Sequence, residues 1–215
     1  MFFAVKILTK ILSMKIGLNN RFGGILLLYI IFIIVSFISR TVLLGMSYHD
    51  VNLGITGLFW AYGVGLFFDT VAFSYFMIPY VIFLIFIPHR FYSTTTYKWI
   101  SYVMYFITFY IFLFNGVSEY FFWEEFGVRY NFIAVDYLVY TTEVIGNIRE
   151  SYPLPTLISS ILLIDAVILF FVIKKKWLQH ALEVKSSIKS RLPLGLVLLV
   201  LPVLSFIFVN LSWAE

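Results

Sequence analysis

The chain has 215 residues, 62% of them hydrophobic and 21% aromatic, with only 12% charged and a mean hydropathy of +0.98. A soluble domain is nearer half apolar and a quarter charged, so a water-soluble fold of this length is excluded and the class is an integral membrane protein. The absence of cysteine excludes disulfides, thiolate chemistry and cysteine-ligated metal. The net charge of +4 is no nucleic-acid footprint, because the basic residues flank apolar segments.

Residues 1–21 form a basic tail with Lys6, Lys10, Lys15 and Arg21. Lys6 and Lys10 are four apart, with Val5, Leu8, Ile11 and Leu12 on the other side. That pattern predicts a short helix lying in the interface, its basic face toward anionic headgroups. A helix needs about 20 apolar residues to span the hydrocarbon layer. The first such stretch is 22–44, too long for a signal peptide and without a small-x-small cleavage site, so it reads as an uncleaved first helix. The second, 59–87, is long enough to tilt; Pro79 is expected to kink it, and Gly63 and Gly65 permit close helix packing. The third is 99–117. After an acidic and aromatic segment at 118–153, the prolines of "SYPLP" launch the fourth, 154–173. The stretch "KKKWLQHALEVKSSIKSR" repeats the interfacial pattern, with Trp177, Leu178, Ala181, Leu182 and Ile188 as its apolar residues. The fifth span is 192–211.

Helices are expected because an unpaired backbone group in lipid costs several kcal/mol, and the segments are too long and uniformly apolar for barrel strands. The expected fold is all-α: one polytopic membrane domain, 1–215, with five transmembrane helices and interfacial amphipathic helices. Twelve Lys and Arg fall on one side, in the tail, at Arg90 and Lys98, and in 174–191. The other side and its margins hold only Arg40, Arg129 and Arg149. The positive-inside rule then puts the N-terminus in the cytoplasm, and five crossings put the C-terminus and 118–153 outside. No internal repeat supports an inverted-repeat transporter.

Three charges fall where lipid is expected. Arg40 is near the outer end of the first span, Asp69 about a third of the way into the second, and Asp165 near the middle of the fourth. Such charges cost a few kcal/mol and usually face the bundle interior with a partner. Arg40 and Asp69 lie at comparable depth, so they are expected to pair or to line a polar outward-facing cleft. Asp165 has no cation at its depth, which leaves protonation or a bond to a Tyr or Ser. His49, His89 and His180 are scattered over different loops and form no metal site.

Segment 118–153 holds six of the eleven acids: Glu119, Glu124, Glu125, Asp136, Glu143 and Glu150. It is too polar to span. Phe122, Phe126, Tyr130 and Ile133, then Tyr137, Val144 and Ile148, are spaced for amphipathic helices at headgroup level. The expectation is an extracytoplasmic platform, with Glu119, Trp123, Glu124, Glu125, Arg129, Asn131, Asp136, Tyr137, Tyr140, Glu143, Arg149 and Tyr152 as docking residues.

The run "FFWEEFGVRYNFIAVDYLVYTTEVIGNIRESYP" resembles the segment between the third and fourth membrane helices of the lipoteichoic acid synthase-like family, phosphoglycerol transferases with a sulfatase-type catalytic domain. The likeness lies in the aromatic-acidic entry, Asn131, "DYLVY" at 136–140, the Glu-Val at 143–144 and "NIRESYP" at 147–153. Five helices, an Arg near the end of the first and an Asp in the second match more loosely. The resemblance implies a bacterial cell membrane and phosphatidylglycerol as lipid partner. It also implies an extracytoplasmic catalytic domain after the fifth helix, with a threonine nucleophile and a divalent metal, commonly manganese. The chain stops at "NLSWAE", where that domain would begin, and holds no credible nucleophile-base set, so no catalytic residue carries over. The expected function is a membrane anchor and lipid-presenting module that lacks the catalytic domain. In this reading Arg40 contacts a lipid phosphate, and Asp69 and Asp165 complete the polar cleft. The alternatives are a scaffold for another envelope protein and a small transporter subunit; the latter lacks a polar path through the inner halves of the helices.

Overall fold

The computed structural model describes residues 21–48, 54–88, 90–92, 94–130, 146, 148–184 and 187–212. Every regular element among them is helical: α1 (Gly23–Met46), α2 (Ile55–Phe76), α3 (Ile78–Phe86), α4 (Thr95–Phe126), α5 (Leu154–Lys174), α6 (Gln179–Glu183) and α7 (Ile188–Ser212). Five helices are long and apolar enough to cross a membrane: α1, α2, α4, α5 and the Arg191–Phe208 stretch of α7. Their outward faces carry exposed large apolar side chains such as Phe59, Trp60, Leu163 and Phe208. Lipid covers such a belt at no cost, whereas water would not.

α4 packs between α1 and α5, while α7 lies against α2 and α3. α1 and α2 form an antiparallel pair, tied by Tyr29–Thr70 at 2.9 Å, Thr41–Tyr62 at 2.9 Å and Arg40–Asp69 at 2.8 Å. Polar bonds of this kind between membrane helices contribute about 0.6 kcal/mol each. Beneath the Arg40–Asp69 pair, Phe32, Phe73, Phe76 and Phe112 form an aromatic core, with ring centroids 5.0–6.4 Å apart. A second cluster, Tyr80, Tyr92, Tyr97 and Tyr105, fills the other end.

The element boundaries refine the sequence reading in three places. The second span bends at Pro79 as expected: the helix stops at Phe76 and resumes at Ile78, with Met77 between in helical conformation. Pro79 explains the break, because it lacks an N–H and its ring clashes with the carbonyl four residues back. The helix that carries the third span runs beyond 99–117 at both ends. Thr94 caps it, its hydroxyl accepting from the Tyr97 N–H at 3.1 Å, and it runs unbroken to Phe126. The first part of the acidic segment is therefore continuous with the span rather than a separate interfacial helix. The basic stretch after α5 holds a short helix, α6, as expected, but Leu178, Ala181 and Leu182 are buried in the end of the bundle rather than turned to lipid.

α5 ends in a Schellman turn: Lys176 N–H reaches the Ile173 carbonyl and Trp177 N–H the Val172 carbonyl, with Lys176 at φ 57°. That turn folds Leu178 onto the bundle. The expected tail helix of 1–20 lies outside the described residues.

The charge asymmetry read along the chain is also an asymmetry in space. Arg21 and Arg191 meet at Ile87, Tyr92 donates to the Ala181 carbonyl, and Lys98 pairs with Glu183 at 2.7 Å. All of these lie at one end, here called the basic end. At the other end, the Phe121 and Tyr152 rings pack 4.5 Å apart, joining the tip of α4 to the start of α5.

Candidate functional site

A cleft of about 550 Å³ opens among α1, α2 and α4 on the side away from the basic end. Helical spacing builds each wall: Phe32, Val35, Ser36, Ser39 and Arg40 from α1; Gly65, Phe68, Asp69 and Ala72 from α2; Phe112, Asn115, Gly116 and Glu119 from α4. The floor is apolar, with Phe32 and Phe112 at its base, and the lip is charged.

Depth follows from the rise of 1.5 Å per residue. Arg40 stands 19 residues beyond Arg21, and Glu119 stands 21 beyond Lys98. Both are therefore roughly 30 Å from the basic end, about one hydrocarbon thickness.

Two ion pairs make the lip. Arg40 Nη2 donates to Asp69 Oδ2 at 2.8 Å, both side chains mostly buried, as their depths led us to expect. The guanidinium lies close against Gly65, where an added Cβ would fall 2.0 Å from Arg40 Cζ; only glycine leaves that space. Tyr62 flanks the cation, its ring centroid 5.9 Å from Cζ.

The second pair was not foreseen. Glu119 is 5% exposed. Its Oε2 accepts from Ser39 Oγ at 2.8 Å and its Oε1 from Arg129 Nε at 2.6 Å. Gly127 makes this possible: at φ 66° it ends α4, its N–H bonding the Trp123 carbonyl at 2.8 Å, and it turns the chain back so that Arg129 reaches Glu119. Tyr130 follows, donating to Ser118 Oγ at 2.6 Å. Burial pushes the Tyr130 phenol above its usual range, and the nearby Glu119 raises it further, so the phenol stays a neutral donor.

The other sequence-predicted residues separate. Glu124 and Glu125 are exposed at the tip of α4, and Trp123 is half-buried there. Tyr152 packs on Phe121, and burial followed by the fields of Glu124 and Glu125 pushes its phenol up. Arg149 is exposed in the turn before α5. Asp165 does not join the cleft: it is 0% exposed within α5, and neither carboxyl oxygen has a hydrogen-bond partner among the described residues. The Tyr or Ser bond is therefore not found there. Asn131, Asp136, Tyr137, Tyr140 and Glu143 lie outside the described residues.

Chemically, the lip offers two guanidiniums and two carboxylates in net balance. Among the described residues each arginine gives one N–H to its carboxylate, out of five donors on a guanidinium. Such a lip suits a ligand that brings both acceptors and hydroxyl donors. Manganese does not fit it: Asp69 and Glu119 are engaged by arginines, and among the described residues no three His, Asp or Glu side chains converge.

Comparison with known protein families, characterised proteins and solved structures gives no match to this chain.

Proposed function

We propose that the chain is the membrane anchor and lipid-presenting module of a phosphoglycerol or related phospholipid headgroup transferase of a bacterial cell membrane, as its resemblance to the lipoteichoic acid synthase-like family suggests. The observation that carries this reading is the cleft: a charged lip over an aromatic floor, about one hydrocarbon thickness from the basic end. A phosphatidylglycerol headgroup matches both charges of the lip. Its phosphate accepts from Arg40 and Arg129, and its glycerol hydroxyls donate to Asp69 and Glu119. The start of an acyl chain lies against Phe32 and Phe112. The exposed carboxylates of Glu124 and Glu125 at the tip of α4 dock the catalytic domain or protein that carries out the transfer and holds its own metal.

The test is lipid affinity of the full chain in nanodiscs. Arg40→Ala is expected to weaken phosphatidylglycerol binding about tenfold, the worth of one charge-assisted hydrogen-bonding group. Arg129→Ala, at a side chain 44% exposed, serves as a second probe less able to disturb folding. Unchanged phosphatidylglycerol affinity in both folded variants overturns the reading. Crosslinks from 118–130 to a membrane protein, with no lipid preference, favour a scaffold instead.

A further inference from the structure

The basic end holds a second charged cluster, separate from the cleft. Arg21, just before α1, is 2% exposed, and Arg191, in the first turn of α7, is 7% exposed. Both guanidiniums end on the same acceptor, the carbonyl of Ile87 beyond α3: Arg191 Nη1 at 2.9 Å and Arg21 Nη1 at 3.5 Å. Arg21 also stacks on Tyr92, its Cζ 3.5 Å from the ring centroid. One neutral carbonyl does not balance two buried cations. Arg21 Nε and Nη2 and Arg191 Nε are buried with no hydrogen-bond partner among the described residues.

No carboxylate is available to complete the set. Across 1–21, 88–98 and 174–191, which hold twelve Lys and Arg, the only acid is Glu183, and it pairs with Lys98 at 2.7 Å. Residues 1–20 contain no Asp or Glu, so the tail supplies none. Helix polarity points the same way. Both arginines stand at helix N-termini, where the backbone dipole favours an anion and opposes a cation. The two helix starts are held near each other by the shared Ile87 carbonyl, and Phe22 reaches the second turn of α7, where a Cβ on Gly195 would lie 3.3 Å from its Cζ. Two guanidiniums and two helix N-termini thus converge where a counter-charge is required.

We propose that Arg21 and Arg191 form a clamp for a phosphate group, that of an anionic phospholipid headgroup or of a free phosphate, between the first turns of α1 and α7. The planar forks supply paired donors suited to phosphate oxygens. The Ile87 carbonyl holds both heads in register, so the site is oriented before the anion arrives. This proposal is independent of the cleft at the opposite end.

The experiment follows thermal unfolding of the full chain carrying Arg129→Ala, which weakens the lipid response of the cleft, in neutral detergent with short-chain phosphatidylglycerol, short-chain phosphatidylcholine or inorganic phosphate. Each variant below is added to that background. Phosphatidylglycerol is expected to raise Tm and phosphatidylcholine not to. The Arg21→Gln, Arg191→Gln double variant should bind it at least tenfold more weakly. A Lys175→Gln, Lys176→Gln variant, altered at exposed basic residues of the same end, should keep the full response. The Arg21→Lys, Arg191→Lys variant should keep part of it, which covers the case in which the glutamine variant fails to fold. A rise with inorganic phosphate as well assigns free phosphate as a sufficient ligand; a rise with lipid alone assigns the headgroup. No rise with either, or a response lost equally in the Lys175 and Lys176 variant, overturns the proposal.

Discussion

Arg40 shows how much one side chain's position depends on a neighbour that has none. Its guanidinium occupies the space a Cβ on Gly65 would take, and from there it reaches Asp69 at 2.8 Å. Gly65→Ala is expected to push the head out of that space and break the pair, destabilising the protein by about 1–3 kcal/mol through the carboxylate left unpaired. A double-mutant cycle checks the cause: in an Arg40→Ala background the same glycine change should cost little, because the displaced group is already gone. Additive losses in the unfolding free energies would place the effect elsewhere in α2. The pair itself could be anticipated from the sequence because depth in a membrane is set by residue counting, and Arg40 and Asp69 count to the same level. Glu119 and Arg129 could not be matched that way. Their meeting depends on the left-handed turn at Gly127, which returns the chain toward a helix it has just left.

Among the elements, the break between α2 and α3 separates two surfaces with different tasks. α2 contributes Gly65 and Asp69 to the cleft, whereas α3 buries Tyr80, Val81, Leu84 and Ile85 and packs against α7. Pro79→Ala restores the missing N–H, so a continuous helix through Met77 is expected. Spin labels at the exposed positions Phe67 and Phe86 should then move apart, and a pulsed dipolar measurement reads the change. An unchanged distance would show that tertiary packing, not the proline, sets the bend. The basic stretch after α5 teaches a different lesson. An amphipathic pattern gives the same signal whether its apolar face meets lipid or protein. Only the turn at Lys176, which aims Leu178 inward, decides between them.

At the scale of the whole molecule, segregation of charge to opposite ends ties the five spans into a single topology. The absence of cysteine makes that topology easy to test. A cysteine placed at exposed Glu125 is expected to react with an impermeant maleimide on intact cells, and one at exposed Lys176 only after permeabilisation. Labelling of both, or the reverse order, would contradict the arrangement. The number of spans and the sidedness of charge could be read from the sequence because lipid imposes them on each segment independently. The convergence of Arg21 and Arg191 on Ile87 could not, because it requires three helix ends distant in sequence to meet.

The length of α4 has one more consequence. Its 32 residues extend about 48 Å, against roughly 30 Å of hydrocarbon. With its start fixed by Lys98 and Glu183 at one surface, the last turns stand clear of the other as a rigid mast. In the proposed function, the partner that docks on Glu124 and Glu125 would be carried at a set height, and inserting one helical turn would lift it by about 5 Å.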